Sequence, residues 1–256
     1  MNKIKQLKKQ LNGNSFLLFI TVALFVAMYV AGMIVFADKG FAKPQMFLNL
    51  FITDAGLLVT SMGLTIVMIS GGIDISVGSV TALVCMVTAV SMEKYGLNAY
   101  TTIVIALLIW IAIMIIMKFT KFGRSIYAVG GNQQSALMMG LNVKKIKFQA
   151  YILDGILASI GGYLVCLNSC AGFVEQAKGM EMDAISASVI GGTLLSGGVG
   201  TPFGTLFGVL IKGTISSLIT TQGTLSSWWV RIVLSALLCF FIILQSVFAK
   251  FKTRNK

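Results

Sequence analysis

The chemistry open to this chain is set by a few ionisable groups inside apolar sequence. The 256 residues include no histidine and eight acids, which removes imidazole acid–base chemistry and the commonest zinc ligand. Asp54 falls within the apolar run 47–70, Asp154 and Asn168 within 148–171, and Lys212 and Arg231 within the last two runs. A charge in hydrocarbon is costly, so such residues face a bundle interior or a wet cavity and mark ion, proton or substrate paths. Two readings are open for each. It lines a path, or it is neutralised, Asp154 by pairing with Lys212 and Arg231 by snorkelling from a helix end.

A second polar feature is "ISGGIDISVGS", residues 69–79, placed between two apolar runs. Gly71 and Gly72 permit a bend or a close helix approach. Asp74 and Ser76 are favoured helix N-caps. The motif is therefore either a capped helix start or a moving joint beside a pathway. A third feature is the stretch 183–220, in which a short apolar piece is followed by Gly191, Gly192, Gly197, Gly198, Gly200 and Pro202. This predicts a broken or re-entrant helix, a turn, and a new helix from about Phe203. Irregular backbone at membrane depth persists only where protein or a wet cavity covers it. Gly200, Gly204 and Gly208 recur every fourth residue, a small-residue face for packing helices within one bundle or between two subunits. "GGVG" is not a phosphate loop, because no Gly-Lys-Ser/Thr follows.

The elements that position these groups are membrane spans. The chain is 57% hydrophobic and 11% charged, with a mean hydropathy of +0.91, too little polar surface for a soluble globule. Apolar runs cover 15–37, 47–70, 75–92, 100–117, 148–171 and 228–248, with the broken pair between the last two. The run 47–70 inserts despite Asp54, since a central aspartate costs about 3 kcal/mol while each Leu, Ile, Phe or Val returns about 0.5. The first run is long for a signal sequence and is expected to be retained. Cys85, Cys166, Cys170 and Cys239 lie in apolar sequence with no CxxC spacing and read as small buried residues.

The net charge of +12 is concentrated in three places: the tail 3–9, the interval 118–147 and the tail 250–256. Bunching beside spans is the positive-inside pattern and not a nucleic-acid footprint. Both termini and the central interval are expected on the cytoplasmic side of the membrane. That requires an even number of crossings, eight with the broken pair, in one transmembrane domain over 1–256. Loops at 38–45, 93–99 and 172–182 fall on the opposite side. Asp-Ala precedes a Gly-Gly at both Asp54 and Asp183, a weak hint of a repeat. Trp228 and Trp229 suit an interfacial aromatic belt. Within the basic interval, Leu137 and Leu141, with Ala136, Met139 and Val143, predict a short amphipathic helix that rests on lipid or inserts into a partner's groove.

Four stretches carry a resemblance to a known family: "ISGGIDISVGS", "FGRSIYAVGGNQQSALMMGLNV" (122–143), "DAISASVIGGTLLSGGVGTPFGTLFG" (183–208) and "GTLSSWW" (223–229). Together they resemble the membrane permease subunits of bacterial ABC importers for monosaccharides, of the ribose, galactose and galactofuranose type. The last stretch is most similar to the galactofuranose permease. The resemblance implies an all-helical polytopic permease that is not itself an enzyme and binds no cofactor. ATP is used by a separate cytoplasmic ATPase subunit, a second permease completes the path, and a periplasmic sugar-binding protein delivers substrate. It also implies that Asn132, Gln134, Ser135, Ala136 and Gly140 form the helix that docks on the ATPase. The motif at 69–79 then lies at a bend beside the translocation path, with Asp54, Asp154, Asn168 and the glycine pairs. Members of this family usually carry two more spans, with an Ile-Pro-Pro-Phe-like segment, where this chain has "SMEKYGLNAYTTIVIALL" (91–108). An ion- or proton-coupled transporter using Asp54 and Asp154, and a transport-defective scaffold, are the alternatives.

Overall fold

The computed structural model describes the backbone of residues 2–92, 99–169, 171–172, 177–224, 226 and 228–254, and side chains over 17–89, 108–169, 171–172, 177–224, 226 and 228–247. Most of the expected 93–99 turn, Cys170, Glu175 and the side chains of both lysine-rich tails lie outside the described residues. Among the described residues every regular element is helical: α1 (Asn2–Val35), α2 (Pro44–Thr53), α3 (Ala55–Ile69), α4 (Val77–Met92), α5 (Ala99–Phe119), α6 (Lys121–Gly131), α7 (Gln133–Met138), α8 (Val143–Ser169), α9 (Met180–Ile190), α10 (Pro202–Gln222) and α11 (Trp228–Arg254).

Helix α3 is the centre of the bundle. All of its residues are buried, as expected of a helix that is apolar on every side. α8 packs along it, α9, α10 and α5 surround it, and α4 lies on the far side of α8. Small residues set the α3–α8 distance. A side chain at Gly161 would meet the Thr60 hydroxyl, and one at Gly56 would meet Val165 and the Gly161 carbonyl. Backbones approach this closely where lipid supplies no hydrophobic drive and packing must. A hydroxyl cluster ties three helices together: Thr65 Oγ1 lies 2.9 Å from Ser188 Oγ and 2.8 Å from Thr205 Oγ1. At the periphery, Phe25, Tyr29, Phe41, Phe47 and Phe207 stack to seal α1 onto α2 and α10.

Among the described residues, four helices contain segments long and apolar enough to cross a bilayer: Leu17–Val35, Val143–Ser169, Pro202–Gln222 and Trp228–Val247. The run 47–70, expected as one span, is instead two helices bent by 54° at Asp54. Counted as one, they bring the total to five. The parts of α4 and α5 with described side chains, Val77–Ala89 and Leu108–Phe119, are apolar as well, and α9 has 11 residues, below the ~20 needed to span. The expected broken or re-entrant helix at 183–220 takes the form of α9, an irregular segment 191–201, and α10 starting at Pro202 with Thr201 Oγ1 accepting from Gly204 N at 3.1 Å.

The two ends of the bundle differ. At one, Leu17 lies beside Gly192, Gln245 Nε2 donates to Thr193 O at 3.4 Å, and α6 and α7 of the basic interval meet 69–72 and 197–200. At the other, Lys39 Nζ donates to Thr221 O at 2.7 Å and Arg231 Nη2 to Lys178 O at 3.4 Å. The basic interval thus shares one end with the first residues of the α1 span and the last of the α11 span.

Candidate functional site

Toward the end opposite the basic interval, the bend at Asp54 opens a polar cavity of about 220 Å³. Thr53 and Asp54 line it at the bend, Asn168 from α8, Asp183 from α9 and Lys212 from α10. Lys212 Nζ lies 2.8 Å from Asp54 Oδ1 and 4.0 Å from Asp183 Oδ2. Asp54 is 5% exposed, against 20% for Lys212 and 35% for Asp183, so the charges pass from a buried partner to a wetted one. Space for Asp54 comes from α10. A side chain at Gly213 would meet the Asp54 carboxylate. Lys212 therefore pairs with Asp54 and not with Asp154, as the sequence had suggested. The reason is placement: Asp154 lies on α8 against Gly63, whereas Asp54 faces α10 directly. The Asp-Ala/Gly-Gly hint gains a physical counterpart, since Asp54 and Asp183 flank one lysine at the starts of α3 and α9.

Asp154 is fully buried, and neither of its oxygens has a hydrogen-bond partner among the described residues. Asp74 is the acid whose charge acts on it. Asp74 is itself engaged. Its Oδ1 accepts from Ser76 N at 2.8 Å and from Ser76 Oγ at 2.6 Å, while Ser76 O accepts the first helical bond of α4 from Val80 N. The motif at 69–79 is thus an Asx turn leading into α4. Tyr151 from α8 donates to Ile73 O at 3.4 Å, fixing the turn beside α8.

The basic end is built from backbone. α3 and α9 both finish in the same C-terminal motif. Gly71 N bonds Met68 O and Gly72 N bonds Val67 O, while Gly192 N bonds Val189 O and Thr193 N bonds Ser188 O. The residue after each cap, Gly71 (φ +79°) or Gly192 (φ +89°), must be left-handed, which favours glycine. Beyond these ends three segments interlock. Gly198 N donates to Ile69 O at 2.8 Å. Side chains added at Gly197 or Gly198 would meet the backbones of Gly71 and Gly131, and one at Gly130 would meet Ile69 O. Tyr127 of α6 donates to Gly200 O at 2.7 Å, and burial pushes its phenol up to about 12. Gly204 and Gly208 face the carbonyls of Gly191 and Ala187, so they pack α10 onto α9 within this chain. Gly200 lies against Thr193 and Ile69.

The basic interval 118–147 contains two short helices and the start of α8 where the sequence suggested one amphipathic helix. α6 buries Gly123, Ile126 and Val129. α7 starts with Asn132 Oδ1 accepting from Ser135 N at 2.9 Å. It ends with Gly140 N bonding Leu137 O and Leu141 N bonding Ala136 O, at a Gly140 φ of +81°. The expected apolar stripe is divided. Ala136 and Val143 are buried, whereas Leu137 and Met139 are exposed with Met138 between them at 84%. Gln134 and Ser135 also face outward. Asn132 and Gly140 thus shape the ends of α7, and its outer surface is polar at the start and apolar at the finish.

The sequence pointed to Asp54, Asn168 and Lys212 but not to their meeting, and it missed Asp183 and Gly213 as partners. The only available signals were the repeated Asp-Ala and the glycine adjoining Lys212. Gly130, Gly131 and Tyr127 were also missed, because their role depends on distant backbone.

Residues 89–242 match the family described as branched-chain amino acid transport system / permease component. The chain is 32% identical to the inner membrane ABC transporter permease protein YjfF of Escherichia coli, over 89% of this chain and 91% of that protein. It is 23% identical to the fructose import permease protein FruG of Bifidobacterium longum over 95% of each, and 33% identical to the ribose import permease protein RbsC of Bacillus subtilis over 59% of this chain and 47% of that protein. The alignments with YjfF and FruG run to 303 and 327 positions, more than the chain's 256 residues, so part of each relative is opposed by gaps here. No solved structure matches.

Proposed function

This chain belongs to the branched-chain amino acid transport system / permease component family, and on that premise we propose that it is the membrane permease subunit of an ATP-driven ABC importer carrying a monosaccharide into the cytoplasm. The sugar class follows from relatives named for ribose, fructose and xylose, and galactofuranose is the member suggested by "GTLSSWW". Chemistry on this chain is limited to binding and movement. ATP is hydrolysed by a separate ATPase subunit that docks on α7, a second permease completes the path, and a periplasmic binding protein delivers the sugar.

One observation carries this reading: the exposed α7 arm is mechanically joined to the two broken segments of the bundle. α7 continues from α6, and the Gly130–Gly131 end of α6 is interlocked with Gly71 and with Gly197–Gly198. A push on α7 is transmitted to the ends of α3 and α9 without any flexible side chain in between. Coupling needs an element with two arrangements that both sites bias, and the irregular segments 70–76 and 191–201 are suited to that role.

In this scheme the basic end faces the cytoplasm, both termini lie there, and eight passes result when α4, α5 and the short α9 are counted as crossings. The two further spans usual in the family are assigned to the stretch between α4 and α5, where this chain has "SMEKYGLNAYTTIVIALL".

The test is to express the chain with the ATPase and binding-protein genes beside it, purify the assembly and measure uptake into vesicles. ATP-dependent uptake is expected, and Gly140→Val and Met138→Ser should reduce it while membrane content holds. Failure of any ATPase to co-purify, or full uptake in both variants, defeats the reading. The unpartnered carboxyl of Asp154 favours ion coupling as the second reading. Uptake that collapses with the membrane potential and ignores ATP would establish it.

A further inference from the structure

We propose that the cavity at the α2–α3 bend is a monosaccharide-binding site on the translocation path, with Asp54, Asp183 and Asn168 as its hydroxyl-reading groups and Lys212 as the bridge that holds the two carboxylates in place. The inference rests on the sugar-importer reading and adds to it a location and a set of contacts.

The lining has the composition a neutral polyol requires. Each sugar hydroxyl donates one hydrogen bond and accepts others, so its site must offer both kinds of group. Carboxylate oxygens only accept. Asp54 uses Oδ1 on Lys212 at 2.8 Å, and Asp183 stands 4.0 Å from the same ammonium, too far for a hydrogen bond. Capacity therefore remains on both acids. Asn168, which makes no hydrogen bond among the described residues, and the Thr53 hydroxyl add donors as well as acceptors. Leu57 and Met180 provide an apolar patch in the same cavity, suited to the carbon face of a sugar ring.

Size and charge narrow the class further. At about 220 Å³ the cavity falls below the roughly 300–1,000 Å³ of sites for drug-sized ligands, and suits one small molecule. Among the described lining residues, two aspartates are matched by two lysines, Lys178 and Lys212. An ion entering would meet no net charge, and a zwitterionic amino acid needs a separated cation and anion, whereas Lys212 lies between its acids. The arrangement also accounts for the ion pair itself. An importer driven by ATP bound elsewhere has no use for an ion-coupling carboxylate. Intramembrane charges are expensive to keep, and their retention here is explained if they read hydroxyls.

The site is tested by thiol protection. Asn168→Cys is made in a chain with Cys170 and Cys239 replaced by serine, assembled with its ATPase and held in nanodiscs. It is then labelled with a charged maleimide alone or with D-ribose, D-galactose, D-xylose, D-fructose or L-leucine. At least one sugar is expected to slow labelling about tenfold, the scale of one strong polar contact, and leucine to leave it unchanged. Additional Asp183→Asn should weaken that protection by a similar factor. Absence of labelling, no protection by any sugar, or equal protection by leucine overturns the proposal. If Asn168→Cys does not fold, Thr53→Cys on the facing wall takes its place with the same outcomes. ATP-driven uptake by the wild-type assembly is measured in parallel. A chain that imports sugar but shows no protection loses the site and keeps the function. One that imports none under ATP loses the function whatever its labelling.

Discussion

The two polar regions of this bundle are made of opposite materials. The cavity at the α2–α3 bend is built from side chains: an ammonium between two carboxylates, with an amide and a hydroxyl around it. The interlock at the basic end is built from backbone, with glycines at 71, 130, 131, 197 and 198 crossing where no Cβ fits between most of them. A side-chain site can be tuned by one substitution, because neighbouring groups reorient. A backbone crossing has no such freedom, since a single added carbon must move a whole segment. The first arrangement suits contact with varied small ligands, and the second suits transmission of force.

The sharpest way to break this contrast is at the interlock itself. A Cβ at Gly130 would meet the Ile69 carbonyl, whereas one at Gly131 meets nothing within 4 Å. Gly130→Ala is expected to cost more than the ~1–3 kcal/mol typical of a damaged core contact and to remove the protein from the membrane fraction, while Gly131→Ala stays within about 0.5 kcal/mol of wild type. Membrane content and thermal unfolding in detergent read both. Equal behaviour of the neighbours would mean that the three segments do not cross as described.

At the cavity the expected effect can be reversed. Lys212→Met leaves Asp54, 5% exposed, without its partner, and removal of one member of a buried pair costs about 3–5 kcal/mol. Adding Asp54→Asn removes the stranded charge and should recover most of that loss, because a buried pair is often replaceable by neutral groups at little net cost. The measurement is the unfolding midpoint of the single and double variants. A double variant as unstable as the single would show that the lysine acts through packing and not through charge.

Legibility in the sequence divides along the same line. The apolar runs, the break after Asp183 and the start of the following helix within a residue of Phe203 were readable, because hydropathy and Gly/Pro punctuation are local signals. The bend at Asp54 was not, since "FLNLFITDAGLLVT" is apolar on both sides of the aspartate and carries no proline, and Asp54, though it stands at the N-cap of α3, makes no capping hydrogen bond with its side chain. The bend goes with a carboxylate drawn toward a lysine 158 residues away. The pairing of Lys212 was misassigned for the same reason. Five ionisable or polar groups in apolar runs allow several pairings, and only helix packing selects one. The glycines were legible as breakers but not as partners. Nothing near Gly130 in the chain indicates that Ile69 and Gly198 will lie against it.

The smallest effect on folding is expected where the two regions give way to open surface. Met138 is 84% exposed, between Leu137 at 57% and Met139 at 66%, on a turn whose backbone is fixed by Asn132 and Gly140. Among the described residues little covers Met138, so Met138→Ser should alter stability by no more than about 0.5 kcal/mol. If the ATPase covers it, the same substitution forfeits much of the ~1.5–3 kcal/mol gained by burying a methionine, and the permease–ATPase affinity falls about tenfold or more. Buried Ala136, two residues away, should show the reverse pattern on enlargement, with stability lost before affinity. Affinity unchanged in Met138→Ser would place the contact elsewhere on the basic interval and separate the interlock from the surface on which the force is taken to act.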